Sequence, residues 1–223
     1  AEFLLSTKKP LKTLLAKRGK QEDKFIRKFY TGDVGSGNII KQIFQEIYLG
    51  LKLFKATYNM ETQFYKGEGF ILKEELLIDR SILEALSKEN ILAIATGRPA
   101  KEAEYPLEHF QLNKFFKHIM TLDDCIREEK RIFREEGKAV SLSKPNPFKL
   151  DAIVANQKEI INDYFYIGDM PDDMLAAARS PANFKSIGIL ISASEKSGLK
   201  RELQRAGANY IVEDFEGLKK ITL

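Results

Sequence analysis

The chain has 223 residues, of which 43% are hydrophobic and 30% charged, with a formal net charge of +4. That length holds one core, or a core with a smaller attached domain, and the balanced charge excludes a disordered chain. The weak positive bias suits anionic small molecules and carries no nucleic-acid footprint, no apolar run reaches the roughly 20 residues of a membrane span, and the single cysteine, Cys125, excludes an internal disulfide.

In chain order, the elements change character near residue 75. "PLKTLLAKRGKQEDKFIRKFY" places Leu11, Leu14, Leu15, Phe25, Ile26 and Phe29 at helical intervals, interrupted at Gly19. The basic residues between Lys8 and Lys28 read as the solvated face of that helix. "TGDVGSGN" is a glycine-rich loop; it has no P-loop lysine and follows no strand, so it reads as a connector between helices. "IIKQIFQEIYLGLKLF" is a second amphipathic helix, with Gly50 as its expected stop, and "FYKGEGF" is a turn-rich link.

Beyond residue 75 short apolar strands alternate with helices. A helix is predicted from Arg80 to Lys88, with Asp79 as N-cap, and then the strand "ILAIAT". Pro99 opens a helix, "HIMTL" is the second strand, and Pro147 opens another helix. "YFYIG", "FKSIGILI" and "NYIV" are further strands, separated by the helical stretches "PDDMLAAARS" and "SGLKRELQRAG". Such alternation predicts an α/β fold, a doubly wound parallel sheet over residues 76–223, with a smaller helical domain over residues 1–75.

Ligands bind at the carboxyl ends of strands in such sheets, and three strand-end segments carry unusual residues. In "ILAIATGRP", the Thr96 hydroxyl and the Gly97 N–H can donate to a phosphate, and Arg98 can reach a substrate; Thr-Gly after a strand is also an ordinary turn. In "SLSKPNPF", two prolines stiffen the loop that presents Lys144, a cation able to stabilise developing negative charge, or simply a solvated loop residue. "YFYIGDMPDDM" is the most telling. Asp169 follows Gly168 at the strand end and Asp173 lies four residues on, so that both can face one Mg²⁺, which needs one or two carboxylates beside substrate oxygens. Helix capping explains one or two of these acids, and Asp173 suits either direct ligation or an orienting role. Asp172 is expected to face solvent. Cys125, His109 and His118 have no partner at ligand spacing and read as structural.

Taken together, in that order and spacing, these segments resemble the haloacid dehalogenase superfamily, subfamily I, over about residues 76–223, with "LAIATGRP" like its second motif, "KPNP" like its third and "YIGDMPDD" like its fourth. The resemblance implies a Rossmannoid core and a Mg²⁺-dependent phosphatase of small phosphorylated metabolites. Thr96 and Gly97 would hold phosphate, Lys144 would neutralise charge, and Asp169 with Asp173 would serve the metal. Residues 1–75 would be a helical cap inserted between the first and second motifs. The family's first motif, Asp-x-Asp-x-Thr, supplies the nucleophile that forms an aspartyl-phosphate and the acid–base partner. It does not occur in this sequence; Asp33 follows a helical pattern and has no partner acid. The expectation is that the first strand lies upstream of residue 1, with a catalytically inactive binding or regulatory module as the alternative. The opening "AEFLLSTKKP" has no signal-peptide plan, and a cytoplasmic protein is expected, one that binds neither nucleic acid nor membrane. Nothing in the sequence specifies the substrate or the oligomeric state.

Overall fold

The computed structural model describes residues 31–223, so the helical pattern of residues 11–29 and the basic stretch Lys8–Lys28 lie outside the described residues. The chain forms two compact units, Ala1–Glu75 and Leu76–Leu223.

In the first unit, "TGDVGSGN" is a turn that leads into helix α1 (Ile39–Tyr58). Asn38 caps it, its side chain accepting the Lys41 N–H at 2.9 Å. Gly50 does not end this helix. It adopts φ 68°, ψ 175°, a non-helical conformation within the span, and the chain resumes its turns beyond it. The excursion has a cause. The Leu51 N–H donates to Gly67 C=O at 3.2 Å, and a Cβ on Gly50 would lie 2.2 Å from the backbone N of Gly69, so two backbones approach where only glycine fits. The segment after α1 is pinned by one buried carboxylate. Glu46 accepts the N–H groups of Gln63, Phe64 and Tyr65 at 2.9, 2.6 and 2.9 Å, and the Gln42 amide at 2.9 Å. Burial pushes its pKa up, but these four donors outweigh that and hold it below the usual carboxylate value.

The second unit alternates strands and helices: α2 (Arg80–Glu89), β1 (Leu92–Ala95), α3 (Ala100–His109), β2 (Phe116–Met120), α4 (Leu122–Glu136), α5 (Phe148–Ala155), β3 (Phe165–Gly168), α6 (Pro171–Arg179), β4 (Lys185–Ile189), α7 (Lys196–Arg205), β5 (Tyr210–Val212) and α8 (Phe215–Thr222). Every strand pairing is parallel: β1 with β2, and β3 with β4 and β4 with β5. Strand alternation sends odd and even positions to opposite faces. On one face Ile187, Ile189 and Val212 pack with Ile82, Leu86 and Leu218, from α2 and α8, and Leu83 and Leu107 cover Leu92 and Ile94. On the other, Ala95 and Tyr166 meet Leu150 of α5 and Ala176 and Ala177 of α6, while α7 contributes Leu203 beside Met174 and Leu190. Helices thus cover both faces, as a doubly wound α/β fold requires.

One feature departs from a single continuous sheet. The strands form a two-stranded ribbon, β1–β2, and a three-stranded one, β3–β4–β5, and the facing edges of β1 and β3 are not bonded to each other. Two helices, α4 and α8, are additions to the sequence reading. Asp79 precedes α2 as predicted, but its contribution is its carbonyl, which accepts the Ile82 and Leu83 N–H groups; its side chain makes no cap bond.

Candidate active site at the strand ends

The ends of β1 and β3 and the loop before α5 converge through one carboxylate. Asp173 stands on the first turn of α6, buried to 3% exposure. Its Oδ2 accepts the Met170 N–H at 3.1 Å, which ties the helix start to the end of β3. Its Oδ1 accepts the Lys144 ammonium at 2.5 Å and the Tyr166 hydroxyl at 3.1 Å. That hydroxyl also lies 3.1 Å from Ala95 C=O, so Tyr166 bridges the end of β1 to α6. Burial, with the Asp173 and Asp169 charges beside it, pushes the Tyr166 phenol well above the ordinary tyrosine value and keeps it protonated.

Gly168 makes this convergence possible. A Cβ there would sit 2.4 Å from both Cβ and Oδ2 of Asp173, so the carboxylate occupies the space that any larger residue would need. Lys144 is held from its own side as well. Its loop is braced by Asn146 N–H to Ser143 C=O at 3.0 Å, Asn146 Nδ2 to Ser141 C=O at 3.1 Å, and Arg179 to Pro145 C=O at 3.1 Å. The Lys144–Pro145 peptide is cis.

Thr96 N–H bonds Met120 C=O at 2.9 Å, continuing β1 by one residue. Its Oγ1 accepts the Arg98 N–H at 3.1 Å, so the hydroxyl proton is free to donate outward. Gly97 is exposed, and a Cβ there would meet nothing within 4 Å, so there is open space beside this turn. The Arg98 carbonyl accepts the Leu122 N–H at 2.9 Å and anchors the turn to the start of α4.

Asp169 is exposed, with the Ser192 hydroxyl 3.4 Å from its Oδ2, and Asp172 is exposed as expected. The two acids named for a metal therefore differ. Asp169 presents a carboxylate with spare acceptor capacity, whereas Asp173 is engaged by an ammonium, a phenol and a backbone N–H. Among the described residues no group of three or more His, Cys, Asp or Glu stands together as a complete metal cage. A hard cation that takes one or two protein carboxylates and keeps its waters fits this donor set.

Sequence reasoning missed Tyr166, which reads as one more apolar strand residue in "YFYIG". Only its parity with Gly168, on the face toward α5 and α6, signals its role. It also missed Lys149, 2% exposed, whose ammonium lies 3.5 Å from the buried Cys125 thiol. The Cys125 Sγ donates to Leu142 C=O at 3.3 Å, and burial pushes its pKa up, so this thiol is packing rather than a nucleophile. His118 meets Gln157 at 3.1 Å and His109 stacks on Tyr105; neither lies beside these residues.

Residues 79–189 match the family model described as haloacid dehalogenase-like hydrolase. An X-ray structure from the Northeast Structural Genomics Consortium is similar with TM-score 0.65 and 22% identity, over 95% of this chain and 63% of that one, so the chain spans less than two thirds of that protein. A Clostridium difficile protein assigned as a phosphatase matches with TM-score 0.53 and 20% identity, over 96% of this chain and 87% of the other. A Thermotoga maritima protein assigned as a β-phosphoglucomutase matches with TM-score 0.53 and 22% identity, over 95% and 86%. At these identities the likeness is one of fold. No curated protein matches the sequence.

Proposed function

Because the chain belongs to the haloacid dehalogenase-like hydrolases, we propose that it forms the phosphate- and metal-binding body of a Mg²⁺-dependent phosphatase of small phosphate esters. The observation that carries this is the seating of Lys144 on Asp173 at the point where β1 and β3 end. A buried carboxylate holds the ammonium in place, so its charge is pre-aimed at anionic oxygens and need not reorganise during reaction.

In this reading Thr96 and Gly97 donate to the phosphoryl oxygens and Lys144 offsets their charge, with Arg98 as a contact to the substrate. Asp169 would hold Mg²⁺, and Asp173 would keep Lys144 oriented and stand as a second acid near the ion. Mg²⁺ would supply positive charge at the transferring group. The nucleophile would be an aspartate upstream of residue 1, at the end of a further strand, forming an aspartyl-phosphate that water then hydrolyses. Residues 1–75 would be the cap of a subfamily I enzyme, choosing the substrate and excluding water. The similar structures assigned as a phosphatase and a phosphoglucomutase support a phosphorylated small molecule as substrate. The single thiol suits the reducing cytoplasm in which we place the enzyme; among the described residues no helix is long and apolar enough to cross a membrane.

The test is a phosphate-ester screen of the full-length protein with and without Mg²⁺, repeated on Lys144→Ala. Loss of one oriented donor of this kind lowers kcat by about 10²–10³-fold. Full activity in that variant would remove Lys144 from the mechanism. A full-length protein that binds phosphate but hydrolyses no ester would favour the inactive binding module, a reading supported by the lack of any Asp-x-Asp pair in this sequence.

A further inference from the structure

The segment between α4 and α5, residues 137–147, carries Lys144 and forms no helix or strand of its own. A lysine ammonium rides on a flexible four-carbon stem, so Asp173 can hold its tip only where the loop brings the backbone of Lys144 to a fixed place. Side chains from two helices bracket that backbone. One residue after Lys144, Arg179 of α6 donates to Pro145 C=O at 3.1 Å. Two residues before it, α4 engages both backbone groups of Leu142. The Leu142 N–H donates to Glu129 Oε1 at 2.7 Å, and the Leu142 C=O accepts the Cys125 thiol at 3.3 Å. Cys125 and Glu129 are one helical turn apart, so they stand on the same stripe of α4. The Leu142 side chain is itself buried. Other glutamates of this helix behave differently. Glu128 and Glu135 pair with Arg131, and Glu136 with Lys138, all close by in the chain. Glu129 instead crosses to the loop.

We infer that Glu129 is a positioning residue: by holding Leu142 it fixes where the loop presents Lys144, and it acts through that lysine rather than on the substrate. The consequence for catalysis rests on the function proposed above; the effect on Lys144 itself does not. Of the two bonds to Leu142, the one from the thiol is weak, whereas a carboxylate is a strong acceptor, so Glu129 is the main anchor. Removing it leaves a part-buried N–H without its acceptor and lets the loop shift. A small shift of the loop moves the ammonium off Asp173 and away from the oxygens it is aimed at. The same assignment gives α4 a purpose, since the one residue it buries, Cys125, grips the same Leu142.

The test compares Glu129→Ala with Glu129→Gln, whose amide oxygen can still accept the Leu142 N–H. In the full-length protein, with Mg²⁺ and p-nitrophenyl phosphate, Glu129→Ala should lower kcat by about 10–10²-fold and change KM by less than about twofold. Glu129→Gln should recover most of that loss. In a Lys144→Ala background, Glu129→Ala should cost nothing further, because the two residues act as one unit. A second readout needs no activity. On the 223-residue chain, acetylation by an N-hydroxysuccinimide ester, followed by peptide mass, should label Lys144 at least about fivefold faster in Glu129→Ala than in the parent or in Glu129→Gln. The inference is overturned if Glu129→Ala leaves both kcat and labelling unchanged, or if it lowers kcat just as much once Lys144 is gone. If the wild type hydrolyses no ester, or if Lys144→Ala is fully active, the function proposed above fails, and labelling alone then decides: faster acetylation of Lys144 in Glu129→Ala upholds the anchor, and an unchanged rate overturns it.

Discussion

Asp173 gathers three donors, and its neighbours can be tested one at a time. Tyr166→Phe keeps the ring but removes the hydroxyl that joins Asp173 to Ala95; the expected loss is about 0.5–1.5 kcal/mol in urea unfolding of the chain. The pH dependence carries a sign. The folded phenol titrates above its unfolded value near 10, so the folded state holds its proton longer. Its stabilisation is complete below about pH 10 and is lost as the pH rises through the folded value. The wild-type minus Tyr166→Phe stability difference should therefore be flat from neutral pH to about 9 and shrink above 10; a difference that grew with alkali would contradict the assignment. Gly168→Ala tests the closest approach in the site. Its Cβ must displace Asp173, and with it Lys144, at about 1–3 kcal/mol of stability. In the full-length protein the same change should lower kcat more than it raises KM.

At the scale of elements, Gly50 shows where periodicity misleads. A glycine at the end of an apolar pattern usually stops a helix, and here it kinks one, because the return segment at Gly67–Gly69 bonds to it from outside the local sequence. Gly50→Ala meets both a positive φ and a 2.2 Å contact, and should destabilise by about 2 kcal/mol or more, against the small gain expected of alanine in an ordinary helix. Chemical denaturation of the single variant decides between the two signs. The strands β1 to β5 were legible because each is a short apolar run bounded by turn residues. Helix α4 was not, since its apolar positions, Leu122, Cys125, Ile126, Ile132 and Phe133, are few among charged neighbours and only Cys125 of its 15 residues is buried. Its start does carry a signal, Thr121 with Asp124, whose carboxylate accepts the Thr121 N–H at 2.7 Å. At the site, Asp169 and Asp173 stood out as acids just beyond the apolar strand β3, whereas Lys144, expected at a strand end, lies in a loop between helices α4 and α5 and stood out through its flanking prolines. Tyr166 did not, since a phenol in a strand looks like core until its partner across the fold is known. Nor can sequence spacing alone show that Asp173 is occupied by Lys144 while Asp169 stays open.

For the second unit as a whole, the two ribbons meet directly where the Tyr166 hydroxyl of β3 reaches Ala95 of β1, and otherwise through helices, with α2 packing Leu83 against β1 and Ile82 and Leu86 against β4. The chain also carries an internal clock for its own opening. Cys125 is its only thiol, fully buried between α4 and α5, with its proton given to Leu142 C=O and its pKa raised by burial. A thiol reagent can reach it only when α4, α5 or the Leu142 loop between them opens, so the alkylation rate counts openings of this region, local or global. Labelling should be slow in buffer, should accelerate with urea in step with loss of helical signal, and should quicken ahead of that signal if α4 and α5 open while the β3–β4–β5 ribbon holds. One sulfur atom would then time the opening of the α4–α5 region in solution, with no probe added to the protein.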